Sequence, residues 1–515
     1  MKRISIFLIT LALIAGMVGC GGGGVTRYQL TMAVAGGNGT ATDLTNASPY
    51  AAGTAVSIKA VAAPGYGFHN WTAPAGTFAN ANAPQTTFTM PAQNATVTAN
   101  FVIGIPVSDW YDLDAIRDNL SGNYTLMNDL DSTTAGYEDL ASPTANGGKG
   151  WQPIGTFSPP PGGNGFMGTF DGQGYEIGAL LINRPGEDYV GLFGSVEGAG
   201  AIQGIGVANV TVIGGNVTGG LVGGNGGTVT YCYSTGNVTG QYDVGGLVGF
   251  NFEEGTVSHS HSSGSVIGDD YVGGLAGPNG GTVSYCHSTG SVIGDDYVGG
   301  LAGPNGGTVS YCHSTGSVIG YDYVGGLVGF NFENGAVSDS YSTGSVSGQD
   351  GVGGLVGVNL VIVSQSYSTG SVTANSAVGG LVGTNYQGTV NDSYSTGSVT
   401  GTSYVGGLVG GNVYGAMSDC YSTGNVTGNS SVGGLVGYDR DGTVSDSFWD
   451  TQTSGQATSD GGTGKTTAEM KDITIFSGAT WNIIGVANPS LRNLAYIWNI
   501  VDDETYPFLS WQPVS

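Results

Sequence analysis

The sequence carries little charge, and very little of it is positive. Only 9% of its 515 residues are charged, and 11 Lys and Arg stand against 37 Asp and Glu. No Lys or Arg occurs between Arg184 and Arg440. Nucleic acids and anionic membrane surfaces bind clustered basic side chains, so the net charge of −26 argues against both as partners. The same gap excludes a polysaccharide lyase cleft there, because a lyase needs cations beside the substrate carboxylate.

Cysteine is scarce, and motifs for zinc or nucleotide binding are missing. The chain has five cysteines and neither a CxxC pair nor an HExxH sequence. The glycine-rich segment 461–466 lacks the first glycine and the helix of a P-loop, so no nucleotide is expected. Four cysteines share one register of a repeat, which favours small buried residues, although a disulfide between the second and third stays open. These are Cys232, Cys286, Cys312 and Cys420.

The N-terminus has the pattern of a targeting segment. Two basic residues precede an apolar run over 4–17, which is too short to span a membrane and fits a signal peptide. The run ends in Met17-Val18-Gly19-Cys20, which resembles the bacterial lipobox with Met in place of the usual Leu. The resemblance implies a lipoprotein signal peptide over 1–19, a lipid on the Cys20 thiol and a glycine tether over 20–25. The alternative is an ordinary signal peptide with a chance cysteine. A lipid anchor would place the protein at the cell surface, on the outer membrane or the outer face of the cell membrane.

Glycine, with 98 residues, is abundant and recurs at a fixed period. The stretch Val244-Gly245-Gly246-Leu247-Val248-Gly249 or a close copy returns nine times, at spacings of 26 to 28 residues. A period of this length predicts stacked structural units. Three apolar pieces separated by glycine turns make up each unit, so three short strands per coil are expected. The leucines of the copies are Leu221, Leu247, Leu275, Leu301, Leu327, Leu355, Leu381, Leu408 and Leu435.

The predicted fold is all-β: a right-handed parallel β-helix (solenoid) of about ten coils over 189–448, preceded by a small β-sheet module. Open solenoid ends must be covered. We therefore expect an N-terminal cap and initial coils over 107–188, with a helix over 109–120 capped by Ser108, and a C-terminal cap over 449–515 that contains a short helix from Thr467. Residues 104–106 are expected to be a linker. Whether Val244 and Leu247 both point inward is open, because it requires a bend at the paired glycines.

The first module, residues 26–103, alternates apolar and polar residues as half-buried strands do. Its segment Gly65-Tyr66-Gly67-Phe68-His69-Asn70-Trp71, followed by Phe88-Thr89-Met90-Pro91, resembles the internalin-type B repeat (the divergent bacterial repeat). That resemblance implies a small β-sheet unit used as a spacer or adhesive module. Trp71 is expected in its core rather than at a ligand.

Identical positions of successive coils form columns, two of which stand out. Stacked asparagine amides can hydrogen-bond along a column, so the first is expected to be a structural ladder. It contains Asn225, Asn251, Asn279, Asn305, Asn331, Asn359, Asn385 and Asn412 and ends at Asp439. The second is aromatic and contains Tyr233, His261, His287, His313, Tyr341, Tyr367, Tyr394, Tyr421 and Phe448.

The repeats resemble the GLUG-repeat family of bacterial surface and secreted proteins. This resemblance implies a β-helix that serves as a stalk or adhesive surface. Some IgA-cleaving metallopeptidases carry such repeats, but their catalysis belongs to a separate domain and no HExxH motif is present here.

Aspartates supply the candidate metal ligands. Asp270, Asp296 and Asp322 precede the paired glycines by three residues in successive coils. Stacked carboxylates repel one another unless a cation bridges them, and calcium prefers such oxygen ligands. The alternative is a solvated acidic ridge. No other cofactor is expected.

Aromatic residues supply the candidate binding surfaces. Tyr271, Tyr297 and Tyr323 follow those aspartates and are predicted to bind a ligand, with ladder packing as the alternative. A second set, Tyr231, Tyr285 and Tyr311, precedes the aromatic column by two residues. The three histidines of that column could bind a transition metal, but surface stacking is favoured because Tyr occupies the same position elsewhere.

The sequence thus predicts a lipid-anchored cell-surface protein whose β-helix is a non-catalytic stalk or adhesin that binds glycans or proteins. The alternative is a polysaccharide hydrolase that uses a pair of carboxylates.

Overall fold

A computed structural model describes residues 25–157 and 164–513. The expected signal peptide and Cys20 lie outside the described residues. The chain divides into two compact units, one up to Val102 and one from Ile103 onward. Among the helices of the described residues, none combines the length and the apolar character needed to cross a membrane.

The first unit is a small β-sheet module, as expected. Its core contains Val56, Ile58, Phe88 and Val97, all fully buried, and Trp71, which is 2% exposed. The Trp71 indole N–H donates to the Ala83 carbonyl at 3.0 Å, so this side chain is structural. The strands are Arg27–Tyr28, Leu30–Val34, Gly39–Asp43, Tyr50–Ala51, Ala55–Ala62, Tyr66–Thr72, Thr77–Phe78, Gln85–Thr89 and Ala95–Ile103.

The second unit is a parallel β-solenoid of about ten turns. Each coil contributes in the same order to four sheets, which we number along the coil. In one coil, Tyr242–Gly245 belongs to sheet 1, Val248–Asn251 to sheet 2 and Thr256–Ser258 to sheet 3. His261–Ser262 and Ser265–Ile267 of that coil belong to sheet 4. The expectation of three strands per coil was therefore wrong, because glycines split both the first and the last piece.

Sheets 1 and 2 follow the repeat closely. Isolated bridges join their segments where full strands lapse, in sheet 1 between 274 and 321 and in sheet 2 between 252 and 301. Sheet 1 consists of Thr218–Gly219, Tyr242–Gly245, Asp270–Gly273, Asp322–Gly325, Asp350–Gly353, Ser376–Gly379, Ser403–Gly406 and Ser430–Gly433. Sheet 2 consists of Phe193–Val196, Val222–Asn225, Val248–Asn251, Ala302–Asn305, Val328–Asn331, Val356–Asn359, Val382–Tyr386, Val409–Val413 and Val436–Arg440.

Sheets 3 and 4 extend further toward both ends. Sheet 3 consists of Ile105–Val107, Asn123–Leu126, Thr169–Asp171, Ala201–Gln203, Thr228–Thr230, Thr256–Ser258, Thr282–Ser284, Thr308–Ser310, Ala336–Ser338, Ile362–Ser364, Thr389–Asn391, Ala416–Ser418 and Thr443–Ser445. Sheet 4 consists of Glu176–Gly178, Leu181–Asn183, Gly206–Ile213, Tyr233–Thr239, His261–Ser262, Ser265–Ile267, His287–Ser288, Val292–Ile293, His313–Ser314, Val318–Ile319, Tyr341–Ser342, Val346–Ser347, Tyr367–Ser368, Val372–Thr373, Tyr394–Ser395, Val399–Thr400, Tyr421–Ser422, Val426–Thr427, Phe448–Asp450 and Thr463–Lys465.

The paired glycines form the bend between sheets 1 and 2. A Cβ atom on Gly245 would overlap the Val248 carbonyl oxygen. One on Gly246 would overlap the Ser262 hydroxyl of the same coil and the Gly274 carbonyl oxygen of the next coil. Only glycine permits this close approach. The bend turns both Val244 and Leu247 into the core, where they are fully buried, and so answers the question that strand alternation left open.

The asparagine column forms the expected ladder. Each side-chain amide donates to the amide oxygen of the next coil over 2.7–2.9 Å, and Asn412 donates to the Asp439 carboxylate at 2.6 Å. The eight asparagines are buried. Because each amide also donates to backbone carbonyls, as Asn331 does to Gly335 and Ile362, the ladder fixes the register of successive coils.

The four repeat cysteines are buried and free, in agreement with the expectation of small core residues. The same inward register holds serines such as Ser260, whose hydroxyl accepts from the backbone N–H of Cys232 at 3.0 Å. Burial raises the pKa of the Cys232 thiol to about 12.

The N-terminal end differs in two details from the expectation. Residues 105 and 106 of the expected linker belong to Ile105–Val107, the first strand of sheet 3, which pairs in parallel with Asn123–Leu126. The helix covers only Trp110–Asp114 and continues as a 3-10 helix over Ala115–Asp118. Its cap is Asp109, whose carboxylate accepts from the Asp112 N–H at 2.9 Å, whereas Ser108 contributes no side-chain cap. Trp110, Leu113 and Ile116 are fully buried in the solenoid core. Two further short helices, Tyr137–Leu140 and Ala145–Gly148, complete this end.

The C-terminal segment covers a side of the solenoid as well as its end. Thr463–Lys465 extends sheet 4 by one strand, and the following residues pack against the aromatic column. The Trp511 indole N–H donates to the Gln365 carbonyl at 3.0 Å, and the Tyr421 hydroxyl donates to the Pro507 carbonyl at 2.6 Å. The elements of this segment are Thr451–Ser454, Glu469–Lys471 (3-10), Ile473–Gly478, Ile483–Gly485, Pro489–Leu491 (3-10), Trp498–Ile500 and Phe508–Leu509.

The aromatic column is a stack of parallel rings on the outer face of sheet 4. From Tyr233 to Tyr421 successive ring centroids lie 4.7–5.1 Å apart with interplanar angles of 11° or less. This geometry agrees with the stacking interpretation of the histidines. A second stack of four exposed rings, Tyr231, His259, Tyr285 and Tyr311, runs beside it at spacings of 4.8–4.9 Å.

We predict that replacing Asn331 by Ala lowers the free energy of unfolding by about 1–3 kcal/mol, because buried partners in both neighbouring coils lose their hydrogen bonds. Asn429 is exposed. Asn429→Ala should therefore stay within about 0.5 kcal/mol of the parent protein. Chemical denaturation checks both values, and equal losses in the two variants would contradict a stabilising ladder.

We also predict that the histidine stack makes stability depend on pH. Burial and the neighbouring imidazoles lower the pKa of His287 to about 4, and burial lowers the pKa of His261 and His313. The unfolded chain takes up these protons below about pH 6.5. Stability should therefore be complete above that pH and fall as the pH drops toward the folded pKa. The variant His287→Tyr places in the stack the same kind of ring that Tyr341 contributes one coil beyond His313. The loss of stability at low pH should be smaller in this variant than in the parent protein. Unfolding midpoints that fall by the same amount in variant and parent would refute the assignment.

Candidate functional site

The two coils at 264–289 and 290–315 have identical sequences, but their neighbours differ from them just after the ladder asparagine. Between Asn and the strand of sheet 3, the identical coils have only two glycines. The flanking coils are two residues longer there, with Phe252-Glu253-Glu254 on one side and Phe332-Glu333-Asn334 on the other. The ladder holds all four coils in register, so the extra residues must project outward.

These projections are the walls of a groove whose floor is the pair of short coils. The wall coils lie three coil steps apart, which is ~14 Å at strand spacing. The cavity between these walls has a volume of about 880 Å³, and aromatic rings, prolines and glycines are among its lining residues. Phe252 lines one wall, Phe332 the other, and Pro278, Pro304 and Gly306 lie on the floor between them.

A second cavity of about 330 Å³ shares Pro278, Pro304 and Phe332 with the first. Its other lining residues are Asp243, Tyr271, Tyr297 and Phe330. We call the two cavities together the aromatic groove. Each of the two volumes lies in the range of clefts that hold small molecules.

Ring packing sets the shape of both walls. On one wall the Phe157 ring stacks on Tyr189 at 4.7 Å and on Phe252 at 5.5 Å. On the other, Phe330 stacks on Phe332 at 5.3 Å. These rings are half-buried, so the walls present preformed apolar surfaces to the groove.

The polar side chains of the groove are acidic. Glu197, Glu253, Glu254 and Glu333 line the larger cavity and Asp243 the smaller one. Within the described residues none of these carboxylates forms an ion pair. Burial raises the pKa of Asp243 to about 6. The groove therefore combines aromatic faces with a negative electrostatic potential.

The predicted ligand-binding tyrosines lie at the groove, in part. Tyr271 and Tyr297 line the smaller cavity, whereas Tyr323 packs on Phe330 with ring centroids 6.1 Å apart. Successive rings of the three lie 5.1 and 5.0 Å apart at tilts of 31° and 38°. All three adopt a left-handed backbone conformation, with φ near 60°. Their role in binding stays a prediction.

The three aspartates proposed for calcium form a ladder with the backbone. The Asp296 N–H donates to the Asp270 carboxylate at 3.1 Å, and the Asp322 N–H donates to the Asp296 carboxylate at 3.2 Å. Burial, and then repulsion by Asp296 and Asp350, raise the pKa of Asp322. Across 25–157 and 164–513, no group of three or more His, Cys, Asp or Glu side chains is arranged to hold a metal ion.

The groove itself was not predicted from the sequence. Two signals were present in the sequence. The spacings that follow Leu247 and Leu327 are 28 residues, and Pro278 stands where the preceding coil has Phe. These signals can be interpreted only after the asparagine ladder has shown which residues the extra length moves outward.

Family models match both parts of the chain. The divergent InlB B-repeat domain matches residues 28–104, and the GLUG motif matches residues 240–267, 320–347, 374–400 and 401–427.

Two curated proteins are similar to parts of the chain. Halomucin of Haloquadratum walsbyi is 35% identical over 162 residues, which are 31% of this chain and 2% of that protein. A protein of Evansella cellulosilytica that is named as a Gly-rich membrane protein is 35% identical over 122 residues, which are 23% of this chain and 13% of that protein. The chain thus spans only a small part of the length of these relatives.

Among solved structures, one titled as an immunoglobulin A1 protease from Bacteroides ovatus aligns over 80% of this chain and 93% of its own. Its sequence identity is 18% and its TM-score 0.31, so the likeness carries no argument about function. The chain carries a divergent InlB B-repeat domain followed by a β-solenoid that contains GLUG motifs.

Proposed function

We propose that the protein is a lipid-anchored, non-catalytic binding protein of the cell surface, whose solenoid holds a glycan in the aromatic groove. The groove carries this proposal. Its ring faces and its glycine-proline floor suit the apolar faces of sugar rings, and its carboxylates can accept hydrogen bonds from hydroxyl groups.

The exposure of the rim carboxylates supports binding rather than catalysis. Glu253, Glu254 and Glu333 are exposed at the loop tips. A glycoside hydrolase needs one carboxyl group held protonated beside the scissile bond and a second held at a fixed distance from it. Long side chains at exposed tips are not held in this way.

Asp243 is the observation that favours a second candidate, a carboxylate-dependent polysaccharide hydrolase. Its pKa of about 6 would let it act as a proton donor near neutral pH.

A location at the cell surface rests on the N-terminus and on the relatives. The segment that ends at Cys20 supports lipid attachment, and one relative bears the name of a membrane protein.

We expect the purified protein to bind members of a glycan array and to release no reducing ends from them. Phe332→Ala removes an aromatic wall and should weaken binding roughly threefold to tenfold. Tyr414 is equally aromatic, 45% exposed and outside the groove, so Tyr414→Ala is the matched control. Reducing ends that disappear in Asp243→Asn would replace this proposal with the hydrolase.

We expect Cys20→Ser to move the protein from the membrane fraction to the soluble fraction, because the lipid attachment atom is lost. Cys420→Ser is the control, since serine occupies the same inward register in other coils. Unchanged partitioning of Cys20→Ser, measured by fractionation of cells, would contradict the anchor.

A further inference from the structure

We propose that the ligand of the aromatic groove is a glycan with free amino groups, a chain of deacetylated hexosamine units whose ammonium groups pair with Asp243 and the rim glutamates. This inference rests on the proposed glycan-binding function and names the class of glycan.

Asp243 is an unpaired acid that lines the smaller cavity. It takes the place that Tyr271 and Tyr297 occupy in the next two coils, as the pairing of Tyr242 with Asp270 and Val244 with Val272 shows. Its carboxylate has no hydrogen-bond or ion-pair partner within the described residues. An ammonium group placed here would pair with the carboxylate and lie among aromatic rings, which also attract cations.

Burial strengthens this argument. An unpaired carboxylate in a partly buried cavity is costly, which is why the pKa of Asp243 rises to about 6. A neutral sugar offers only hydroxyl groups to this acid, whereas an ammonium group compensates its charge directly.

The rim of the groove selects for the same charge. Glu253 and Glu254 stand on one wall, Glu333 on the other and Glu197 at one end, with no Lys or Arg anywhere in the sequence between Arg184 and Arg440. Uronic or sialic acids would be repelled from every side, so an acidic glycan is disfavoured.

The shape of the groove favours a sugar chain over a basic peptide. A lysine side chain is thin and flexible and would fill only the smaller cavity. The larger cavity, about 880 Å³ with a floor of Pro278, Pro304 and glycines, calls for a wide and rigid group with a flat apolar face. Hexosamine rings provide that face together with the amine.

The test is calorimetric titration of the whole protein with glucosamine oligomers and with N-acetylglucosamine oligomers of the same length. The pH should lie just above the Asp243 pKa of about 6, so that the carboxylate is charged. We expect the free-amine oligomer to bind about tenfold more tightly or better, since a close charge pair is added.

Two variants with matched controls assign this preference to the groove. Asp243→Asn should abolish the preference for the free amine, and asparagine tolerates the left-handed φ of 57° at this position. Asp419→Asn is its control, because Asp419 has a φ of 54° and a pKa that burial also raises to about 6, but lies outside the groove.

Pro304→Phe introduces a phenylalanine at the floor position that pairs with Phe330. Its ring should fill the groove and prevent binding of both oligomers. Thr384→Phe places the same ring in the same column outside the groove and should leave binding unchanged.

Each outcome of these titrations has a distinct meaning. Equal affinity for the two oligomers overturns the inference and leaves the glycan-binding proposal standing. If neither oligomer binds and a glycan array also stays blank, both fall. A lysine oligomer that binds more tightly than the amino sugar replaces the glycan with a basic peptide. Full binding by Pro304→Phe moves the site away from the groove.

Discussion

The solenoid depends on one interaction, the hydrogen bond that a buried asparagine side chain makes to its counterpart in the next coil. Without it, coils of 26, 27 and 28 residues would have no common reference point, because neither length nor the glycine turns alone define which residues face each other. The ladder supplies that reference at the end of sheet 2, and its amides also bind backbone carbonyls where sheet 3 begins. A buried amide without partners would destabilise the fold, so these hydrogen bonds stabilise only the arrangement in which the asparagines of successive coils are aligned.

Because the register is fixed, coils of different length differ in the shape of their surface loops. The two-residue additions after Asn251 and Asn331 cannot shift the strands of sheet 3, so they extend outward as Phe-Glu-Glu and Phe-Glu-Asn loops. Between these loops, the duplicated coils have only two glycines after the ladder asparagine and a proline before it. The aromatic groove is thus a product of duplication between two unlike neighbours, and its carboxylates lie unpaired in a stretch of chain without a cation. Inside the coil, by contrast, residues such as Gly246 and Ser262 are in close contact, so the size of each restricts which residue can stand at the other position.

The features that repeat from coil to coil could be predicted from the sequence, whereas those that depend on contacts between unlike segments could not. The parallel solenoid, the asparagine ladder and the stacked rings follow from period and column, since each column has one environment. The burial of Trp71 was expected separately, in the first module, which lies outside the repeats. The direction of Val244 and Leu247 could not be decided, because strand alternation fails at a glycine bend whose position is set by contact with the next coil. The groove and the lateral packing of the C-terminal segment arise between residues far apart in sequence, as the hydrogen bond from Trp511 to Gln365 shows. The 28-residue spacings mark the groove only once the ladder is known, and nothing in the periodicity of the sequence encodes the packing of the C-terminal segment.

The central claim is that 26 residues of the duplicated region form one complete coil held in register by the ladder. Its most direct test is circular dichroism during thermal unfolding of a protein that lacks residues 264–289. We expect a folded protein with unchanged β character per residue and a cooperative transition, since residue 290 restores the same sequence after the deletion. Removal of 264–276 alone, half a coil, should prevent folding because it breaks the register. A full-coil deletion that unfolds, or a half-coil deletion that folds equally well, would contradict the account.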